Sequence, residues 1–196
     1  MVTDVTGEWH QEERLERELG QYREEEATCN GCAGYPKYDQ VTGLLSFNRF
    51  REEVDSVIAS GKGKSCLLVY TDLENFKYFN RKYGYAAGDQ LLREFTGYII
   101  DTLKKRNTAH FTRVVADQFI LFFEEKWNNG SIEAIKRINN GFIERQQRKY
   151  PEAKLRLRTG VYKVEKDCDG ASFAIDAANY ARRQIQDNSP ETVCVI

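Results

Sequence analysis

Apolar and polar positions along this chain follow two periods, and the switches between them mark out the elements. Leu67, Leu68, Val69 and Tyr70 form an unbroken apolar or aromatic run, the pattern of a strand covered on both faces, and after Thr71 the run ends on Asp72. Ahead of it, Phe47, Phe50, Val54, Val57 and Ile58 recur at helical spacing behind Ser46, a candidate N-cap, and Gly61 and Gly63 close that helix. After Asp72 the pattern predicts a short helix over 74–83, a break at Gly84, and a second helix from near Asp89 with Leu92, Phe95, Ile99 and Leu103 on its core side.

Residues 110–115 and 119–124 are β-prone and are separated by Ala116-Asp117-Gln118, which predicts a hairpin. An amphipathic helix over 131–148 carries Ile132, Ile135, Ile138 and Phe142. Leu155, Leu157, Thr159 and Val161 alternate with Arg156, Arg158 and Gly160 as a half-buried strand; a helix over 171–186 and a strand over 192–196 follow. Strand, helices, hairpin, helix, strand is the split βαβ plan. The expectation is therefore an α+β, ferredoxin-like core: a mixed, mostly antiparallel sheet of about five strands flanked by helices. In that plan the first strand ends beside the hairpin turn, so Asp72 and Asp117 converge on an oxygen-rich site suited to magnesium and a triphosphate. Taken singly, Asp72 could be a helix cap and Asp117 a turn former.

Residues 8–26 read as a charged helix, with Trp9, Leu15, Leu19 and Tyr22 on one side and Glu13/Arg17 and Arg14/Glu18 at i,i+4 spacing. Gly31, Gly34 and Pro36 mark a boundary, which divides the chain into a helix and linker over 1–36 and a globular domain over 37–196. The net charge of −1 conceals an asymmetry. Residues 1–26 hold nine acids against three arginines, and the remainder carries 26 basic against 21 acidic groups. That mildly basic remainder suits a polyphosphate and suits an ordinary mixed surface equally. A hydrophobic content of 41% excludes wholesale disorder. No apolar run reaches the roughly 20 residues that span a bilayer, and the expectation is a cytoplasmic protein without a membrane span or nucleic-acid partner. Five scattered cysteines argue against a disulfide framework, and Cys29-Asn30-Gly31-Cys32 reads as a linker turn in preference to a zinc or redox pair.

Together these residues resemble the GGDEF family of diguanylate cyclase domains over roughly 38–190. Asp39-Gln40-Val41-Thr42-Gly43-Leu44 matches the opening D-x-L-T-G-L element. Asp72, Phe76, Lys77, Asn80, Gly84, Gly88, Asp89 and Leu92 match the central D-x-D-x-F-K-x-x-N-D-x-x-G-H-x-x-G-D-x-x-L pattern. The signature hairpin falls on Val115-Ala116-Asp117-Gln118-Phe119 behind Arg113, and Tyr180-Ala181-Arg182-Arg183 follows late in the chain. The resemblance implies that Asp72, the backbone carbonyl of Leu73 and Asp117 hold magnesium, with Asp117 the residual catalytic acid. It further implies that Asn80 and Asp89 read guanine, Phe76 belongs to the nucleotide site, and Lys77 and Arg183 neutralise phosphates. In an active member two domains face each other, each presenting one GTP, and form cyclic di-GMP.

The departures fall on the signature itself: Val115 and Ala116 replace its glycines and Gln118 its glutamate, so a β-branched side chain enters and a charge is lost. Elsewhere Glu74, Arg81 and Tyr85 replace an aspartate, an aspartate and the histidine of the central pattern, and Asp187 stands where a basic residue is common. The inhibitory R-x-x-D motif would start at Arg106 and lacks its acid at Ala109. The expectation is a degenerate signalling domain without meaningful cyclase activity that still binds GTP or a related purine nucleotide, holds magnesium weakly, and works with a second copy or a partner signalling domain. Two alternatives are a slow but active diguanylate cyclase and a purely structural docking module, in which Val115, Tyr78, Phe79, Tyr83 and Tyr85 fill the old nucleotide space.

Overall fold

The computed structural model describes residues 36–61, 66–103, 109–124, 128–165, 167–187 and 189–196. The segment expected as a charged amino-terminal helix, the Cys29/Cys32 pair and Arg106 lie outside them. Residues Lys37–Ile196 form one compact unit. Its elements are α1 (Phe47–Ala59), β1 (Leu67–Glu74), α2 (Phe76–Tyr83), α3 (Tyr85–Leu103), β2 (Ala109–Val115), β3 (Gln118–Phe123), α4 (Asn129–Lys149), β4 (Arg156–Lys163), α5 (Ala171–Arg183) and β5 (Val193–Val195). The five strands lie in the order β2-β3-β1-β4-β5, antiparallel except for the parallel β4/β5 pair. This is the α+β plan read from the sequence, with helices on both faces.

Central placement of β1 explains its continuous apolar run, because successive side chains of a strand point to opposite faces. Leu67, Val69 and Leu73 enter one core with Phe76, Phe79, Leu92 and Phe95 of α2 and α3 and Phe142 of α4. Leu68 and Tyr70 enter the other, with Phe50 and Val54 of α1 and Ala174 and Ala178 of α5. Each fully buried Leu or Phe contributes about 1.5–3 kcal/mol, so this two-sided packing is what holds the strand end in place. A buried polar chain crosses the first core: Asn139 of α4 donates to Thr159 Oγ1 at 2.8 Å, and Thr159 and Thr71 hydroxyls meet at 2.9 Å.

Two local expectations are corrected. Ser46 precedes α1 but its side chain makes no capping bond, and its hydroxyl is buried without a hydrogen-bond partner among the described residues. Helix α3 starts at Tyr85, not near Asp89. Gly84, with φ of +88°, turns the chain between α2 and α3 in a single residue, so Gly88 lies inside the helix. Gly88 is there for space: a Cβ on it would collide with Asn80 Oδ1.

Candidate functional site

The register of the sheet builds one row of side chains at the end of β1. Asp72 stands opposite Gln118 of β3 and Arg158 of β4, and directly opposed residues share a face. One step further along, Tyr70 stands opposite Ile120 and Gly160. Gly160 matters because α5 crosses β4 there in direct contact; a Cβ would run into the Ala178 carbonyl and the Arg182 backbone. This close approach lowers Arg182, at the end of the apolar stripe Ala174, Ala178 and Ala181, onto the row.

Asp72 is 6% exposed and its carboxylate is taken up by arginines. Arg158 donates through Nε at 3.4 Å and Nη2 at 3.1 Å, and Arg182 Nη1 donates to Asp72 Oδ2. The remaining guanidinium donors also have acceptors: Arg158 Nη1 reaches Asp187 at 2.9 Å, and Arg182 Nε and Nη2 reach Asn179 Oδ1. Arg182 further lies over the Tyr70 ring, 5.3 Å from its centroid. The neighbouring pair, Glu74 and Arg156, meets at 3.3 Å.

The hairpin turn lies beside this row. Leu73 N–H donates to the Asp117 carbonyl at 3.3 Å, which ties the end of β1 to the turn through backbone. Ala116 has φ of +49°, a left-handed conformation that costs a residue with a Cβ. Val115 is 46% exposed. Gln118 accepts the Tyr70 hydroxyl at 2.6 Å. Arg113 supports the turn from below: its Nε donates to the Ala116 carbonyl at 2.7 Å and its Nη1 pairs with Asp39 at 3.3 Å. Asp39 in turn closes the Asp39–Leu44 loop by accepting from the Thr42 amide and hydroxyl. Burial works against the Asp39 charge, but the Thr42 bonds and Arg113 hold its carboxyl below the usual range. Burial pushes the Asp117 carboxyl up to about 6, with the Asp72 charge reinforcing burial and Arg182 and Arg113 opposing it.

The residues expected to read guanine, with Lys77 of the expected phosphate pair, lie on α2 and α3, which pack on the opposite face of the sheet from α5, the helix that carries Arg183. Lys77 is exposed, Asp89 half-buried, and Phe76 buried as the floor beneath Asn80 and Gly88. Asn80 turns its Oδ1 inward, where it is buried without a hydrogen-bond partner among the described residues. Arg183 is exposed at the end of α5, next to the buried Arg182. The aromatic cluster does not plug this region. Tyr78 and Tyr85 are 49% and 65% exposed, whereas Phe79 and Tyr83 pack on Tyr150.

A divalent ion does not fit the row. No group of three or more metal-ligating side chains gathers among the described residues, Asp72 has its oxygens on two guanidiniums, and Gln118 is neutral. The sequence reading did not assign Arg158 and Arg182 to the site. The available signal was Arg182 at a core-facing position four residues after Ala178, where a charge needs a buried partner.

Residues 36–190 match the family described as "Diguanylate cyclase, GGDEF domain". Diguanylate cyclase DgcS of Shewanella oneidensis is 32% identical over 89 residues, 44% of this chain and 29% of that protein. Cyclic di-GMP phosphodiesterase PdeR of Escherichia coli is 28% identical over 130 residues, 66% of this chain and 18% of that protein. This chain thus aligns with less than a third of either relative. The GGDEF domain of DgcB from Caulobacter crescentus, solved with c-di-GMP, superposes with a TM-score of 0.68 at 17% identity, covering 83% of this chain and 97% of that one. Among the described residues no helix is long and apolar enough to cross a membrane. With the strand order, the Asp39–Leu44 loop and the hairpin turn in place, the chain belongs to the GGDEF domain family.

Proposed function

We propose that this chain is a catalytically silent GGDEF module of cyclic di-GMP signalling that takes up GTP or a related purine nucleotide and signals its occupancy to a second copy or a partner domain. The observation that carries the reading is the composition of the strand end and turn. With the family pattern laid on Asp72, Asp117 and Gln118, the first is committed to arginines, burial raises the carboxyl of the second to about 6, and the third is an amide held by Tyr70. Phosphodiester formation needs the charge developing on the phosphoryl and leaving oxygens to be met by preorganised cations, and here the cations answer protein carboxylates. The row does not accommodate magnesium, because its one buried carboxylate is already on two guanidiniums.

The nucleotide-reading side supports retained binding. Asn80 has an amide donor and an inward-turned acceptor left without a partner among the described residues, Asp89 can accept from a guanine edge, and Lys77 and Arg183 are exposed cations within the same family pattern. Incubation with GTP and magnesium, followed by chromatography, is expected to give neither cyclic di-GMP nor GDP. Calorimetry is expected to show GTP binding that Asp89→Ala weakens. Turnover abolished by Asp117→Ala would overturn the silent assignment in favour of a slow cyclase, and absence of binding at about millimolar GTP, the weak limit of useful affinity, would overturn the nucleotide part.

A further inference from the structure

We propose that Arg158 and Arg182 act as a built-in cation that fills the divalent-metal position of this fold, so that the strand end is closed to magnesium by charge and not merely emptied of ligands. The proposal rests on the site assignment above, and it explains a combination that the hairpin substitutions leave unexplained. Glutamine at 118 in place of the signature glutamate weakens a metal site, yet Asp72 alone would remain a buried anion, costly without a counter-charge. Here that counter-charge comes from β4 and α5 together. Arg158 is delivered by register, directly opposite Asp72. Arg182 is delivered by the helix crossing at Gly160, where the absence of a Cβ lets α5 reach the sheet.

Two features make the arrangement a replacement and not a chance ion pair. Every guanidinium donor group that faces the row has a protein acceptor: Arg158 reaches Asp72 and Asp187, and Arg182 reaches Asp72 and Asn179. Asp72 and Asp187 are each met directly by a guanidinium, and the third carboxylate of the site, Asp117, lies within the field of Arg182. A metal approaching Asp72 would have to displace both arginines while standing within a few ångströms of their charges. The exposed Asp187 belongs to the same balance, since it takes the one Arg158 donor that Asp72 does not. A planar, always-charged guanidinium suits this fixed role better than a lysine, because it grips a carboxylate with two donors at once.

The test is manganese binding by the full chain, read by the loss of the free-ion electron paramagnetic resonance signal and by the metal-induced shift in Tm. Wild type is expected to show neither up to about 1 mM free manganese, near the weak end of protein sites for hard divalent ions. Arg158→Ser/Arg182→Met, with methionine keeping the packing under α5, is expected to bind about tenfold or more tightly than wild type, and Asp72→Asn added to that variant is expected to abolish the gain. Stoichiometric manganese binding by wild type, removed by Asp72→Asn, would overturn the proposal whether or not the double variant folds. A double variant that is folded by circular dichroism and still binds no manganese would overturn it as well. Cyclase turnover and GTP calorimetry are separate readouts: turnover by wild type would refute the silent module, and absent GTP binding its ligand, while the manganese result stands on its own.

Discussion

The two halves of this site are arranged in opposite ways. On α2 and α3, Lys77, Asn80, Gly84, Gly88 and Asp89 keep the family spacing, and Lys77 and Asp89 remain accessible to a ligand. At the ends of β1, β3 and β4, the same fold has turned inward: Asp72 and Arg182 are both under a tenth exposed and answer each other. The difference teaches that one end of a sheet can be closed by its own counter-charges while the neighbouring helices stay open to a ligand. At the strand end Asp72, Gln118, Arg158 and Arg182 each have a protein partner, and groups so engaged are not available to a ligand.

The sharpest way to break this comparison is to remove one cation from each half. Arg182→Ala leaves the buried Asp72 with Arg158 alone and also removes the contact over Tyr70. Such losses cost about 3–5 kcal/mol, which lowers Tm by roughly 10 °C in a domain of this size. Lys77→Ala, on the exposed surface of α2, is expected to change stability by no more than about 0.5 kcal/mol. Thermal melts of the two variants measure the contrast directly, and equal effects would mean that the strand end is no more self-satisfied than the helical half.

Asp117 sharpens the comparison by pH. Its folded-state value of about 6 lies above the ordinary 3.8, so its neutral form is favoured in the native state. The stabilisation it contributes is full below about 3.8 and is lost as pH rises through about 6. Asp117→Asn keeps the group neutral throughout. The variant is expected to match wild type near pH 4 and to exceed it above pH 6. Two pH units correspond to about 3 kcal/mol, and solvent access reduces the expected gain to about 1–2 kcal/mol. Denaturant midpoints across this range check it, and a constant difference at all pH values would contradict the assigned cause.

Much of the architecture was legible because it follows from periodicity. The four apolar residues Leu67–Tyr70, the alternation at Leu155–Val161 and the tight turn at Ala116–Gln118 each became the predicted strand or turn. Local chemistry was less legible. Ser46 has the residue type of an N-cap without the bond, and Gly88, a helix breaker by propensity, lies inside α3 because Asn80 occupies the space of its missing side chain. The arginine pair was least legible of all. Its bonds to Asp72 span 86 and 110 residues and depend on the β1/β4 register and on the approach of α5 over Gly160. Nothing in the local pattern around Arg158 or Arg182 encodes that meeting; only the presence of a charge on the apolar face of α5 hints at it.

The smallest expected effect tests whether the turn or the strand end underlies the proposed silence. Ala116 holds φ of +49° in the signature turn, where glycine carries no Cβ penalty. Ala116→Gly removes strain of about 1 kcal/mol and adds unfolded-state freedom of about half that size, so the net gain is about 0.5 kcal/mol, a rise in Tm of roughly 1–2 °C. The backbone then has the freedom that the family's turn uses to approach a nucleotide. Turnover is nevertheless expected to stay absent, because the arginines still hold Asp72. Measurable cyclic di-GMP formation by Ala116→Gly would shift the cause of silence from the strand end to the turn.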